Sequence, residues 1–192
     1  ASAEVAREIR AAADVVGVGF IDAPVSGGQA GAENGQLAVM CGGDENVYAG
    51  IESVIDAYAK ISVLVGGTGS GQLTKMVNQV CIAGLIQGLS EALDFGRRAG
   101  LDMDRVLSVI GGGASGSWQM ANRAGTMLDR HFDHGFALDW MRKDLGIVFD
   151  EAERIDATLP VTALVDQLYA RLQREGHGRW DTSSLIELLR DD

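Results

Sequence analysis

The chain has 192 residues, 46% of them hydrophobic and 22% charged, the make-up of a folded globular chain, which excludes the disordered and fibrous classes. Twenty-seven acids against sixteen bases leave a net charge of -11, a sign that repels a phosphate backbone and argues against a nucleic-acid partner. Cys41 and Cys81 are the two cysteines; they give no disulfide framework and fit a reducing compartment. The most apolar stretch, residues 80–89, is broken by Gln87 and falls short of the roughly 20 residues a membrane span needs. A cytoplasmic protein without a membrane partner is expected. The chain opens at Ala1 rather than at a methionine, which is expected of a processed product or a piece of something longer.

Ser2 can cap a helix in which Val5, Ile9 and Ala12 or Ala13 recur at helical spacing, with Gly17 to end it. Residues 18–21 read as a buried strand that delivers the breaker cluster of residues 22–28 as a loop. Residues 37–41 repeat the strand signal, Asp44 caps a helix through Val47, Ile51, Val54 and Ile55, and residues 61–65 give a further strand before the glycine-rich residues 66–71. Alternating strands and helices predict a layered α/β unit. After Gly71 the signal is helical throughout. Residues 72–99 carry apolar side chains around nearly the whole circumference, which predicts a long helix buried in the protein or in an oligomer interface. Asp102, Ser117, Leu138 and Pro160 open four shorter helices, and Ser184 with Glu187 reads as the capping box of a last one. The boundary between the two parts is expected near Gly69.

Residues 66–71 follow a strand and open a helix, where a phosphate-binding loop would sit. The P-loop would need lysine and then Ser or Thr after Gly71, but Gln72 and Leu73 stand there, and the dinucleotide fingerprint also fails at Gln72. The glycines are better read as a sharp turn from strand into helix. Among the sixteen bases only Lys60, Lys75 and Lys143 are lysines, and Lys75 lies near the start of the long helix. There the helix dipole and burial both lower an ammonium pKa toward the range useful for proton transfer, with Asn78 and Gln79 on the same face; a lysine that snorkels to solvent reads equally well. At residues 22–28, Ser26 and two glycines could hold a carboxylate on backbone N–H groups, although a tight turn built from Pro24 and Gly27 is the simpler reading. His131 and His134 lack convincing further ligands and read as solvated loop residues, so no metal site is expected. His177 reads as an exposed turn residue, Cys41 and Cys81 as core thiols, and residues 150–153 as a solvated helix face.

In their order these segments resemble the β-hydroxyacid dehydrogenase family, which includes 3-hydroxyisobutyrate dehydrogenase and tartronate semialdehyde reductase. Phe20-Ile21-Asp22-Ala23-Pro24-Val25-Ser26-Gly27-Gly28 is similar to the family's substrate-binding signature. Gly69-Ser70-Gly71-Gln72-Leu73-Thr74-Lys75-Met76-Val77-Asn78-Gln79 is similar to its catalytic-lysine signature, and Phe136 with Lys143-Asp144-Leu145 to a third region. The resemblance implies the C-terminal portion of a Rossmann-type NAD(P)-binding domain over residues 1–68 and an all-helical substrate and dimerisation domain over residues 69–192. It implies an enzyme that uses NAD or NADP to interconvert a short β-hydroxy acid and its semialdehyde or keto form.

In that frame Lys75 is the acid/base, Ser26, Gly27, Gly28 and Asn78 bind substrate, Phe136 and Asp144 line the site, and Lys143 approaches the cofactor. Gln79 stands where several relatives carry asparagine and resembles the tartronate semialdehyde reductase branch. Reduction of tartronate semialdehyde, glyoxylate or succinic semialdehyde is the alternative, a choice that depends on pocket shape. A helical dimerisation or binding module without turnover is the alternative from another class. The family's glycine-rich cofactor fingerprint is not in this sequence, and the chain taken alone is expected to bind NAD(P) weakly or not at all. A homodimer or homotetramer is expected from the apolar long helix.

Overall fold

The computed structural model describes residues 1–190. They fall into two compact units, one of Ala1–Asn78 with Ile147–Glu151, the other of Gln79–Gly146 with the chain from Ala152 onward.

The first unit opens with helix α1 (Ala3–Val15), capped by Ser2, whose Oγ accepts the Val5 N–H at 3.2 Å, and closed before Gly17 at φ 70°. Its buried residues are Ala3 and Ala6, while Val5 and Ile9 stay exposed. Strands β1 (Ile21–Asp22) and β2 (Val25–Ser26), helix α2 (Gly28–Glu33), strand β3 (Leu37–Gly43), helix α3 (Glu45–Ile55) and strand β4 (Ala59–Gly66) follow. The expected strand over residues 18–21 is corrected: Val18 is 57% exposed and pairing starts only at Ile21. The expected loop over residues 22–28 is also corrected, since it contains β2 and leads directly into α2.

β1 and β2 are two pieces of one line. Ile21 lies opposite Gly43, Asp22 opposite Gly42, Val25 opposite Val39 and Ser26 opposite Ala38, all antiparallel and in unbroken register along one edge of β3. Pro24, which has no N–H to give, still accepts the Met40 N–H through its carbonyl at 3.0 Å. β4 runs parallel to β3 on the other edge, so the sheet is mixed. Leu37, Val39 and Cys41 alternate along β3 toward one face and pack with Tyr48 and Ile55 of α3, the two-residue period of a half-buried strand. Each fully buried apolar side chain of this kind contributes about 1.5–3 kcal/mol.

The second unit holds the greater part of helix α4 (Ser70–Arg98), then α5 (Met103–Ile110), α6 (Trp118–Leu128), α7 (Leu138–Arg154) apart from Ile147–Glu151, α8 (Pro160–Arg174) and a closing 3-10 helix (Thr182–Leu189). Leu89 and Leu93 of α4, Ala124 and Met127 of α6, Phe132 and Ile186 make its core. Asp102 and Ser117 cap α5 and α6 as the sequence predicts. The last helix is capped instead by Asp181, whose carboxylate accepts the Ser183 N–H at 3.0 Å; Ser184 is buried, which corrects the capping box.

Within the single chain α4 is covered over only part of its circumference, so burial inside the chain accounts for part of its apolar surface. Met76, Gln79, Ala83, Ile86, Leu89 and Leu93 are buried, but Val77, Cys81, Leu85 and Phe95 form an exposed stripe, Phe95 at 73%. Cys81 is therefore a surface thiol, and Cys41 alone is a core one. Glu151 is buried within the run read as a solvated face, and His177 stacks on Trp180 with ring centroids 3.6 Å apart rather than standing free on a turn. Among the described residues no helix is long and apolar enough to cross a membrane.

Candidate functional site

In the first unit the strand β1 ends on Asp22, whose carboxylate is 3% exposed and turns to the beginning of α4. Oδ1 accepts the Gly69 N–H at 2.7 Å and Oδ2 the Gln72 N–H at 2.9 Å. A helix leaves its first N–H groups without internal partners, and an acceptor of negative charge is favoured there. The cap of α4 thus comes from a residue about fifty positions earlier. The approach is close enough to require glycine: a Cβ on Gly42 would lie 2.7 Å from Asp22 Oδ1, and one on Gly71 would collide with the Met40 carbonyl. This gives the glycine-rich residues 66–71 a packing role, with the Gly69 N–H, and the N–H of Gln72 that follows them, taken by Asp22. Burial, with the Asp22 carboxylate adding to it, holds the Cys41 thiol above its usual pKa.

Lys75 is the sixth residue of α4 and Asn78 stands one turn on; both are half-buried and both belong to the first unit. The same unit holds Ser26 on β2, with Gly27 (φ 133°) and Gly28 (φ 62°) carrying the chain into α2 through backbone angles that L side chains rarely adopt. A groove of about 370 Å³ beside α1 is lined chiefly by apolar side chains, among them Val5, Ile9, Phe20, Ala23 and Pro24.

The second unit holds Phe136, Lys143 and Asp144. Gln79, buried on α4, donates from Nε2 to Asp144 Oδ2 at 2.6 Å, while Lys143 Nζ lies 2.7 Å from Asp144 Oδ1. One carboxylate therefore bridges an amide and an ammonium. Lys143 is 61% exposed at its side chain and so has room to meet a ligand. Phe136 tilts against Trp140 at 5.8 Å, and its backbone N–H donates to Asp181 Oδ2 at 2.8 Å. Asp181 is 1% exposed; its other oxygen receives the Ser183 N–H and hydroxyl and lies 3.3 Å from Arg123 Nε. Residues that the sequence reading passed over, Asp22 and Asp181, thus hold the segments that carry its candidates. Asp22 gives one signal, an acid ending an apolar run; Asp181 and Arg123, far apart in the chain, give none. Among the described residues no cluster of three or more His, Cys, Asp or Glu could hold a metal.

Residues 1–68 match the family model described as the NAD binding domain of 6-phosphogluconate dehydrogenase. Residues 69–189 match that described as NAD-binding of NADP-dependent 3-hydroxyisobutyrate dehydrogenase. An uncharacterized oxidoreductase of Shewanella frigidimarina is 57% identical over 98% of this chain and 65% of its own length. The 2-hydroxy-3-oxopropionate reductase of Escherichia coli is 36% identical over 91% of this chain and 60% of its own length. The solved structure of Mycobacterium tuberculosis 3-hydroxyisobutyrate dehydrogenase with L-serine superposes with a TM-score of 0.88 at 30% identity, covering 99% of this chain and 67% of that one. The chain spans less than two thirds of the length of the curated relatives it matches, from 55% to 65%. A Rossmann-like NAD-binding fold followed by a helical domain, two adjoining family models and relatives named as dehydrogenases and reductases together place the chain in the β-hydroxyacid dehydrogenase family.

Proposed function

We propose that the protein carrying this chain is an NAD(P)-dependent dehydrogenase that interconverts a short β-hydroxy acid and its semialdehyde or keto form, with Lys75 as general acid/base. The observation that carries this reading is the place of Lys75, half-buried in the second turn of α4 with Asn78 one turn further on, in a chain with only two other lysines. Lys75 takes the proton from the substrate hydroxyl on oxidation, and its ammonium returns a proton to the carbonyl oxygen on reduction. Asn78 fixes the substrate oxygen and the lysine, Ser26, Gly27 and Gly28 hold the carboxylate, and Phe136 and Asp144 line the site. The domain boundary in this reading falls at residues 68 and 69.

The dinucleotide fits this chain at one end. The helix-start donors Gly69 N–H and Gln72 N–H are engaged by Asp22 and so are not offered to a phosphate, whereas the exposed ammonium of Lys143 suits an anionic or carbonyl group of NAD or NADP. NAD(P), when bound, supplies the hydride acceptor or donor. The Asp144 carboxylate, gripped by Gln79, holds Lys143 for that task. Gln79 also supports the second substrate reading, since it resembles the tartronate semialdehyde reductase branch, and a relative named 2-hydroxy-3-oxopropionate reductase is 36% identical to this chain. The exposed stripe of Val77, Leu85 and Phe95 on α4 supports a homodimer or larger assembly.

The test is a screen at 340 nm with NADH, NADPH and their oxidised forms against 3-hydroxyisobutyrate, L-serine, tartronate semialdehyde, glyoxylate and succinic semialdehyde, with Lys75→Ala beside the native protein. Turnover that disappears in Lys75→Ala while cofactor still binds is the expected result. A Lys75→Ala protein as active as the native one overturns the assignment, and cofactor binding without turnover of any substrate turns the reading toward a binding module.

A further inference from the structure

We infer that Asp22 is a positioning residue for Lys75; the inference rests on the reading of Lys75 as the acid/base. The Asp22 carboxylate is buried and spends both oxygens on the start of α4, one on Gly69 and one on Gln72. Two bonds from one rigid group to N–H donors three residues apart fix the helix both along its axis and in rotation. Gln72 lies three residues before Lys75, less than one turn of a 3.6-residue helix, so the phase set at Gln72 is passed to Lys75 with almost no helix between them.

The packing around the carboxylate removes the slack that would let the helix adjust. Gly42 of β3 comes so near that an added Cβ would sit 2.7 Å from both Asp22 Oδ1 and the Gly71 N–H nitrogen, and 2.9 Å from the Gly67 carbonyl. Asp22 is itself pinned in the sheet opposite Gly42. The same edge continues without a register shift to Ser26, four residues on. One side chain thereby refers the helix that carries Lys75 to the strand that carries Ser26. A displacement of the order of 1 Å at a reacting group costs roughly a hundredfold in rate, which is the scale on which such a reference matters.

The test uses the three lysines of this chain. With [6-13C]lysine, Lys60, Lys75 and Lys143 give three Cε signals, assigned by Lys→Arg replacement. The two Cε protons of a lysine held in one rotamer are inequivalent, and those of a freely turning one coincide. Asp22→Asn keeps the size of the side chain and removes its charge and one acceptor. The expected result is that the Lys75 proton pair collapses toward one shift, while the Lys60 and Lys143 signals and the circular dichroism stay as in the native chain.

In the turnover assay kcat falls roughly ten- to hundredfold with KM and cofactor affinity retained, a split that general loosening of the fold would not give. A folded Asp22→Asn chain with a native Lys75 signal overturns the inference. If Asp22→Asn does not fold, Asp22→Ser takes its place; failure of both to fold makes Asp22 a scaffold residue only and also overturns it. A native protein that turns over no β-hydroxy acid overturns the proposed reaction instead, and the lysine spectra then decide the positioning role on their own.

Discussion

Gln79 and Asp144 meet at 2.6 Å, the amide of one buried side chain donating to a carboxylate whose other oxygen faces Lys143. Gln79→Leu keeps the volume and removes the donor, leaving a largely buried carboxylate oxygen unpartnered, which costs about 1–3 kcal/mol. Chemical denaturation by urea should show the loss as a lower midpoint with an unchanged slope. Gln79→Asn, one methylene shorter, should fall between the two. A native midpoint in Gln79→Leu would show that the amide contributes nothing to this arrangement.

Asp181 carries a heavier load. Its carboxylate receives the backbone N–H groups of Phe136 and Ser183 and stands beside the Arg123 guanidinium. Asp181→Ala strands a mostly buried arginine and two N–H donors at once and should destabilise the fold by about 3–5 kcal/mol. The double replacement Asp181→Ala with Arg123→Met removes the stranded charge and should recover part of that loss. Amide exchange at Phe136 reads the local effect: it should quicken in both variants, because neither restores the acceptor.

Asp94 supplies the pH dependence. Burial raises its pKa, but hydrogen bonds and charge from Arg97 and Arg98 outweigh that and hold it below the usual value of 3.8. A depressed folded pKa means that the unfolded chain binds more protons in the window between the two values. The stabilisation is complete above about pH 4 and is lost as the pH falls through the folded pKa. Asp94→Asn should therefore be less stable than the native chain at neutral pH and show a flatter decline below about pH 4. Parallel curves for the two proteins across that range would contradict this origin of the acid sensitivity.

The two thiols should separate cleanly. Cys41 is buried with a raised pKa, and Cys81 lies on the exposed stripe of α4. A disulfide reagent at neutral pH should titrate Cys81 in the native chain and reach Cys41 only on unfolding. If copies of the chain associate through that stripe, the Cys81 rate should drop as protein concentration rises. A rate independent of concentration, with full labelling, would count against association there.

The local elements were the legible part of this sequence. Asp44, Asp102 and Ser117 cap helices where a short polar residue precedes helical spacing, and Pro160 opens α8. Errors came where a pattern local to the chain was resolved by something distant. Val18 has strand propensity but no strand to pair with until Ile21. Ser184 and Glu187 have the capping spacing, yet Asp181 holds the better position because it also anchors Phe136. The apolar side chains of α4 number enough to line every face, and the chain's own packing covers only part of the circumference. Lys75 could be singled out because lysine is rare in this chain. Its helix's attachment to Asp22 could not, since nothing in either segment encodes the other.

A loop rich in N–H donors at the start of a long helix ordinarily recruits an anion from solution. Here that anion is tethered, and its effective concentration is set by the fold instead of by the medium. Phosphate or sulfate in the buffer would have to displace a carboxylate that cannot diffuse away, out of a space that two glycines have closed around it. The beginning of α4 is thus insulated from the ionic composition of its surroundings.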